Sequence, residues 1–172
     1  METTIAVSRM ILSGVWDRWT KLSVLLAHSG GTLPFLAGRL ESCILHDRHM
    51  MSMDHAKNRR TVWDLLKNNI LLDAVVYGKA GLKAAAEVTG SDRILFGMFQ
   101  QRVLDPLILW WLKIVPGTDH PFFPPLATEN QEDEPEKWLS VTTNFKAIRA
   151  GFDEPSSVEG VLGGNAVRLL RL

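Results

Sequence analysis

The chain has 172 residues, with 19 lysines and arginines balanced by 19 aspartates and glutamates. Zero net charge leaves no electrostatic footprint for nucleic acid or an anionic membrane surface, so neither is expected as a partner. A composition 46% hydrophobic and 22% charged is that of a globular domain and excludes wholesale disorder. The single cysteine, Cys43, forms no internal disulfide, which fits a reducing compartment. Residues 1–4 have neither the basic nor the apolar region of a secretory signal. The most apolar run, 104–115, is broken by Asp105, Pro106 and Lys113 and is too short to span a bilayer. The expectation is one soluble, cytoplasmic domain.

In chain order, Thr3 and Thr4 are candidate caps for a helix starting near Ile5. Val7, Met10, Ile11, Gly14 and Val15 then recur at helical spacing. The run KLSVLLAH (21–28) is short and almost continuously apolar, as strands buried on both faces are. Thr32 and Pro34 open a long helix that presents Leu36, Leu40, Cys43 and Asp47 on one face. A helix is expected over 61–69, a strand over 70–77 (ILLDAVVY), and an alanine-rich helix over 79–89, closed by Gly90. DRILFG (92–97) reads as a third strand. Strand alternating with helix is the signature of a parallel α/β fold. No internal repeat is seen.

From 98 to 117 the character changes to MFQQRVLDPLILWWLKIVPG, an apolar segment with a helical stripe of Leu104, Leu107, Ile108, Trp111, Leu112 and Val115. A proline-stiffened stretch, TDHPFFPPL (118–126), and an acidic run, 129–136, follow. A helix is expected over 138–150, and a last one around 165–170, after Gly163 and Gly164.

Two residues could carry chemistry by position. His28 ends the first strand, where parallel folds build their sites, and can act as a base or ligand. It can equally be a hydrogen-bonded structural histidine. Asp119 precedes the rigid proline-rich loop and can ligate a metal or move a proton; an Asx turn explains it too. His46 and His49, three apart with His55 and Asp47 nearby, could hold zinc, but a polar helix end accounts for them more simply. Cys43, on the apolar face, is expected in the core rather than as a nucleophile. The pairs Gly30–Gly31 and Gly163–Gly164 lack the residues of a phosphate loop, and there is no nucleophile elbow.

Several segments together resemble one family. LLAHSGGTLPFLAGRLESCI (25–44), ILLDAVVY, DRILFG joined to TDHPFFPPL, and GVLGGNAVRLLRL (160–172) look like the amidohydrolase-related decarboxylases. These are relatives of aminocarboxymuconate-semialdehyde decarboxylase, and the TDHPFFPP form is most similar to the isoorotate (uracil-5-carboxylate) decarboxylase branch. The resemblance implies a distorted (β/α)8 TIM barrel of the metal-dependent hydrolase type, with a divalent metal, zinc or manganese. It implies a small carboxylate substrate and a homodimer. His28 matches the family histidine beside the metal-bound water, and Asp119 the aspartate that closes the metal site and handles the proton. Arg39 matches an arginine that grips substrate across the dimer interface, and Phe122 would line the pocket.

The departures from the pattern are as informative. The family's His-x-His pair and its other metal histidine have no counterpart here, and a full barrel takes about 250 residues. The three strand candidates would be strands six, seven and eight. The expected architecture is therefore the carboxyl-terminal half of a barrel, one partial domain over 1–172. Within it, 98–117 reads as an inserted apolar helix of the kind a translated intron leaves, because the family runs from the strand-eight glycine straight into Thr-Asp.

Overall fold

A computed structural model describes residues 2–47, 59–96 and 139–171. The segment 98–117, expected to be an inserted helix, the proline-rich stretch with Asp119, His120 and Phe122, and the acidic run lie outside the described residues, as do His49 and His55.

The described helices are α1 (Glu2–Leu12), α2 (Val15–Arg18), α3 (Leu33–His46), α4 (Val62–Asn68), α5 (Lys79–Thr89), α6 (Leu139–Gly151), α7 (Pro155–Glu159) and α8 (Asn165–Leu170). The strands are β1 (Val24–Leu26), β2 (Ile70–Asp73) and β3 (Ile94–Leu95). They form a parallel sheet in the order β1-β2-β3, with Val24 opposite Ile70 and Leu72 opposite Ile94. Chain order equals spatial order, and a helix crosses from each of the first two strands to the next, as in a βα barrel. β2 is buried at every residue because it is central, whereas edge strand β1 is only half-buried at Val24 and Leu25.

The core gathers Val7 and Ile11 of α1, Trp16 of α2, Leu33, Ala37 and Leu40 of α3, Leu65 and Leu66 of α4, and Leu82 and Ala85 of α5 around the strands. On α3 the buried stripe is Leu33, Ala37 and Leu40, with Ile44 packed behind it. The apolar face is thus rotated from the one expected. Each residue turns the helix by about 100°, so once Leu33 and Ala37 set the stripe, Cys43 falls outside it. Cys43 is exposed, not a core residue.

Thr4 also departs from expectation. It lies inside α1, which begins at Glu2, and is 5% exposed. Its Oγ1 accepts the Thr32 amide proton at 3.0 Å and lies 3.4 Å from the Gly30 carbonyl, to which it donates. It therefore ties the chain at the start of α3 rather than capping its own helix. Thr61 does cap α4, accepting from the Asp64 amide at 3.0 Å, and Glu41 of α3 accepts from the Val62 amide at 2.6 Å. The 70–77 strand stops at Asp73, four residues early, whereas α5 and α8 fall where they were expected.

Long side chains pin the amino-terminal ends of the strands through carbonyls. Asn69 Nδ2 donates to Thr20 and Leu22, at 3.0 and 2.6 Å. Arg93 donates to Ile70 and Asn68, at 3.0 and 3.1 Å. Arg59 donates to the last-turn carbonyls Ile11 and Leu12 of α1, both at 2.7 Å.

The outer edge of β3 is taken up as well. Leu95 faces β2, its carbonyl accepting from the Ala74 amide, so the neighbouring Ile94 and Phe96 groups point outward. Phe96 donates to the Val161 carbonyl at 2.9 Å, and Asn165 Nδ2 donates to Ile94 at 2.9 Å and to Ser91 at 2.8 Å. No helix among the described residues is long and apolar enough to cross a membrane.

Asn165→Ala should therefore lower the free energy of urea unfolding by about 1–3 kcal/mol, since buried carbonyls lose their donor. Val167→Ser, at a half-exposed position two residues on, should stay within about 0.5 kcal/mol in the same titration.

Candidate active site

In parallel α/β folds the loops after the strands form the crevice where ligands bind. Here β1 delivers His28 to that end. The turn Ala27–Gly30 leaves the strand through four consecutive residues with positive φ: His28 at 55°, Ser29 at 49°, Gly30 at 72° and Gly31 at 65°. The glycines take this conformation freely. A Cβ on Gly30 would also press on Leu72, Leu26 and Leu33, at 3.3–3.4 Å. For His28 and Ser29 the left-handed backbone costs about 1–2 kcal/mol each. Such strain persists only where the surroundings over-determine it, and it clusters at functional sites.

Asp73, the last residue of β2, supplies the constraint. One carboxylate oxygen, Oδ2, accepts from the His28 amide at 2.8 Å; the other, Oδ1, accepts from Ser29 at 2.7 Å and from Val75 at 3.2 Å. The Ser29 hydroxyl donates back to the Asp73 main-chain carbonyl. Both residues are buried, Asp73 at 3% and Ser29 at 2% exposure, while His28 is exposed above them.

The loop after β2 repeats the device. Tyr77 has φ 55°, and the fully buried Asn144 of α6 accepts from the Val76 and Tyr77 amides through Oδ1, at 3.1 and 2.8 Å. Two strained loops thus lie side by side at one end of the sheet, each fixed by a buried acceptor.

Of the residues expected from sequence, His28 stands at this end. Arg39 lies on α3 with its side chain exposed, and Asp119 and Phe122 lie outside the described residues. His46 spends its Nδ1 on the Ser42 carbonyl, 3.0 Å away in the same helix. Asp73, Ser29 and Asn144 were missed. A lone carboxylate inside the apolar run ILLDAVV was the available signal for Asp73, because a buried charge needs dedicated partners. Nothing local in the sequence marks Asn144.

The described residues do not fit a metal ion. No group of three or more histidines, cysteines or acidic residues comes together among them. The Asp73 carboxylate is committed to three amide protons.

The class defined by this arrangement is a portion of a βα barrel, with loop-borne residues at the carboxyl ends of its strands. The chain is 47% identical to IDCase of Metarhizium anisopliae, with a TM-score of 0.79, over 99% of this chain and 39% of that one. It is 27% identical to 2-amino-3-carboxymuconate-6-semialdehyde decarboxylase of Dictyostelium discoideum, over 99% of this chain and 37% of that protein. The fold is shared with 5-carboxyvanillate decarboxylase LigW of Sphingomonas paucimobilis, at 21% identity and a TM-score of 0.65, over 96% of this chain and 38% of that one. No family model matches. The chain is thus similar, along almost all of its length, to the carboxyl-terminal portion of the amidohydrolase-related decarboxylases. It spans about two-fifths of their length.

Burial raises the Asp73 pKa above the ordinary carboxylate value, while the amide bonds from Ser29, His28 and Val75, and the charge of His28, pull it down. The unfolded chain releases this proton near 3.8; the folded chain holds it to higher pH. Folding therefore takes up a proton in that window, and this group's contribution to stability falls as pH rises from 3.8 through the folded value. Asp73→Asn keeps the shape but turns an NH2 group toward an amide proton. It should cost about 1–3 kcal/mol near neutrality. The advantage of wild type over Asp73→Asn, measured by urea unfolding at several pH values, should shrink as pH climbs through the same window.

Proposed function

We propose that this chain is the carboxyl-terminal part of a metal-dependent, non-oxidative carboxy-lyase acting on an aromatic or pyrimidine carboxylate, with isoorotate as the first candidate. The observation that supports this reading most is 47% identity to an IDCase along almost the whole chain, with His28 held in a strained turn at the site end of the sheet. In this reading Asp119 gives its proton to the ring carbon that bears the carboxylate. The bond to the carboxylate carbon then breaks, CO2 leaves, and the electron pair returns to the ring. His28 orients water or tunes the proton balance of Asp119. Arg39, exposed on α3, suits an anionic substrate by bidentate contact, offered to the neighbouring site of a homodimer.

The divalent metal, zinc or manganese, belongs to the whole enzyme. A 5-carboxyvanillate decarboxylase of Novosphingobium aromaticivorans carries bound manganese. This chain would contribute one metal carboxylate, Asp119, where a zinc site usually takes three or four protein ligands. We therefore read residues 1–172 by themselves as catalytically silent, with 98–117 an insertion that separates Asp119 from its register. This reading includes a cytoplasmic setting, supported by a single cysteine that allows no internal disulfide.

The purified chain should hold no stoichiometric metal by elemental analysis and release no CO2 from isoorotate. A version that lacks 98–117 and is fused to the amino-terminal three-fifths of the Metarhizium IDCase should bind metal and release CO2. In it His28→Ala should lower kcat by about 100-fold. Amide or ester hydrolysis by the fusion, in place of CO2 release, would make it a hydrolase of the same superfamily. Tight stoichiometric metal on the unfused chain would overturn the reading of silence.

A further inference from the structure

We propose that Asp73 is a positioning residue for His28: its two carboxylate oxygens separately hold the His28 and Ser29 amides, and so fix the left-handed backbone from which the His28 side chain departs. The proposal rests on the reading of His28 as a functional residue given above, and it adds a residue which that reading does not contain.

The geometry leaves Asp73 few other roles. Its carboxylate oxygens face backbone N–H groups at 2.7–3.2 Å, and the residue is 3% exposed, so it offers nothing to a substrate. A carboxylate is also the side chain the turn needs. The His28 and Ser29 amides each point at their own oxygen of one carboxylate, so a single anion satisfies both without competing donors. Asparagine has one acceptor and brings an NH2 group; glutamate is one carbon too long for a strand end packed this tightly. Ser29 makes the turn reciprocal: its amide donates to the side chain of Asp73 and its hydroxyl to the main-chain carbonyl. The left-handed φ at His28 decides the direction of its Cα–Cβ bond, so whatever fixes φ aims the imidazole. A core need for Asp73 is absent, since an apolar residue ending β2 would avoid burying a charge.

The test uses the intact chain, labelled with nitrogen-15 and carbon-13. In wild type, scalar couplings across hydrogen bonds should connect the His28 and Ser29 amide nitrogens to the carboxyl carbon of Asp73. This measurement needs no variant to fold. In Asp73→Asn the protection of both amides from hydrogen exchange should fall by at least about tenfold. The ring resonances of His28 should move, while those of exposed His46, on α3, stay in place. Ser29→Ala, a milder change, should shift the His28 ring in the same direction by less. In the fused enzyme, Asp73→Asn should lower kcat by about tenfold or more and leave KM within about threefold. A merely structural carboxylate would lose the amide protection and leave the His28 ring and kcat unmoved, and that result overturns the proposal. Missing couplings to Asp73 in wild type overturn it as well. If no form releases CO2, the decarboxylase reading fails while the couplings and ring resonances still decide the role of Asp73.

Discussion

A single buried carboxylate sets the conformation of the candidate site. Asp73 ends the central strand, so its position is fixed by the sheet on both sides, and through its two oxygens it dictates the backbone of the segment after the neighbouring strand. The left-handed run from His28 to Gly31 could not be inherited from local preference, because two of its residues resist it. The glycines at its end let the chain pass close over Leu72 and Thr4. Sheet, turn and the start of α3 thus form one mechanical unit, with Thr4 of α1 tied to both sides of it.

The two ends of the sheet are held by opposite chemistry. At the amino-terminal end, carbonyls beside the strand starts need donors, and the side chains of Asn69 and Arg93 supply them. At the carboxyl-terminal end, the loops expose amide protons that need acceptors, and Asp73 and the oxygen of Asn144 supply those. Among the described residues, three of the four non-glycine positions with positive φ, His28, Ser29 and Tyr77, lie in the loops after β1 and β2, and the fourth, Arg171, ends α8. Conformational cost is therefore concentrated where chemistry is expected.

Much of the fold was legible in the sequence because it follows from local rules. The alanine-rich helix ended by Gly90 and the helix after Gly164 fall where spacing placed them. Alternation of strand and helix gave the parallel sheet. His28 was legible from its place after an apolar run. What failed to show were features decided across the chain. Cys43 left the core because the helix phase is set by Leu33 and Ala37 packing on other elements. Thr4 caps nothing in its own helix because its partner is 28 residues away. Asp73 looked like the middle of a strand, since the partners that end the strand there come from 44 and 45 residues earlier.

Asn165 has a consequence beyond holding α8. Its side chain carries the same amide group as the backbone, and with the Val161 carbonyl it fills the bonding positions that Ile94 and Phe96 turn outward. An edge so occupied gives an incoming strand a poorer template, because the Ile94 carbonyl and the Phe96 amide already have partners within the chain. The sheet is thereby made one-sided. Pairing by a stray copy of the chain is opposed at this stretch of β3 and left to the opposite edge, along β1, whereas closure of a whole barrel at β3 would exchange these bonds for strand pairing. Loss of that one amide would free the Ile94 carbonyl and with it one bonding position for a stray strand.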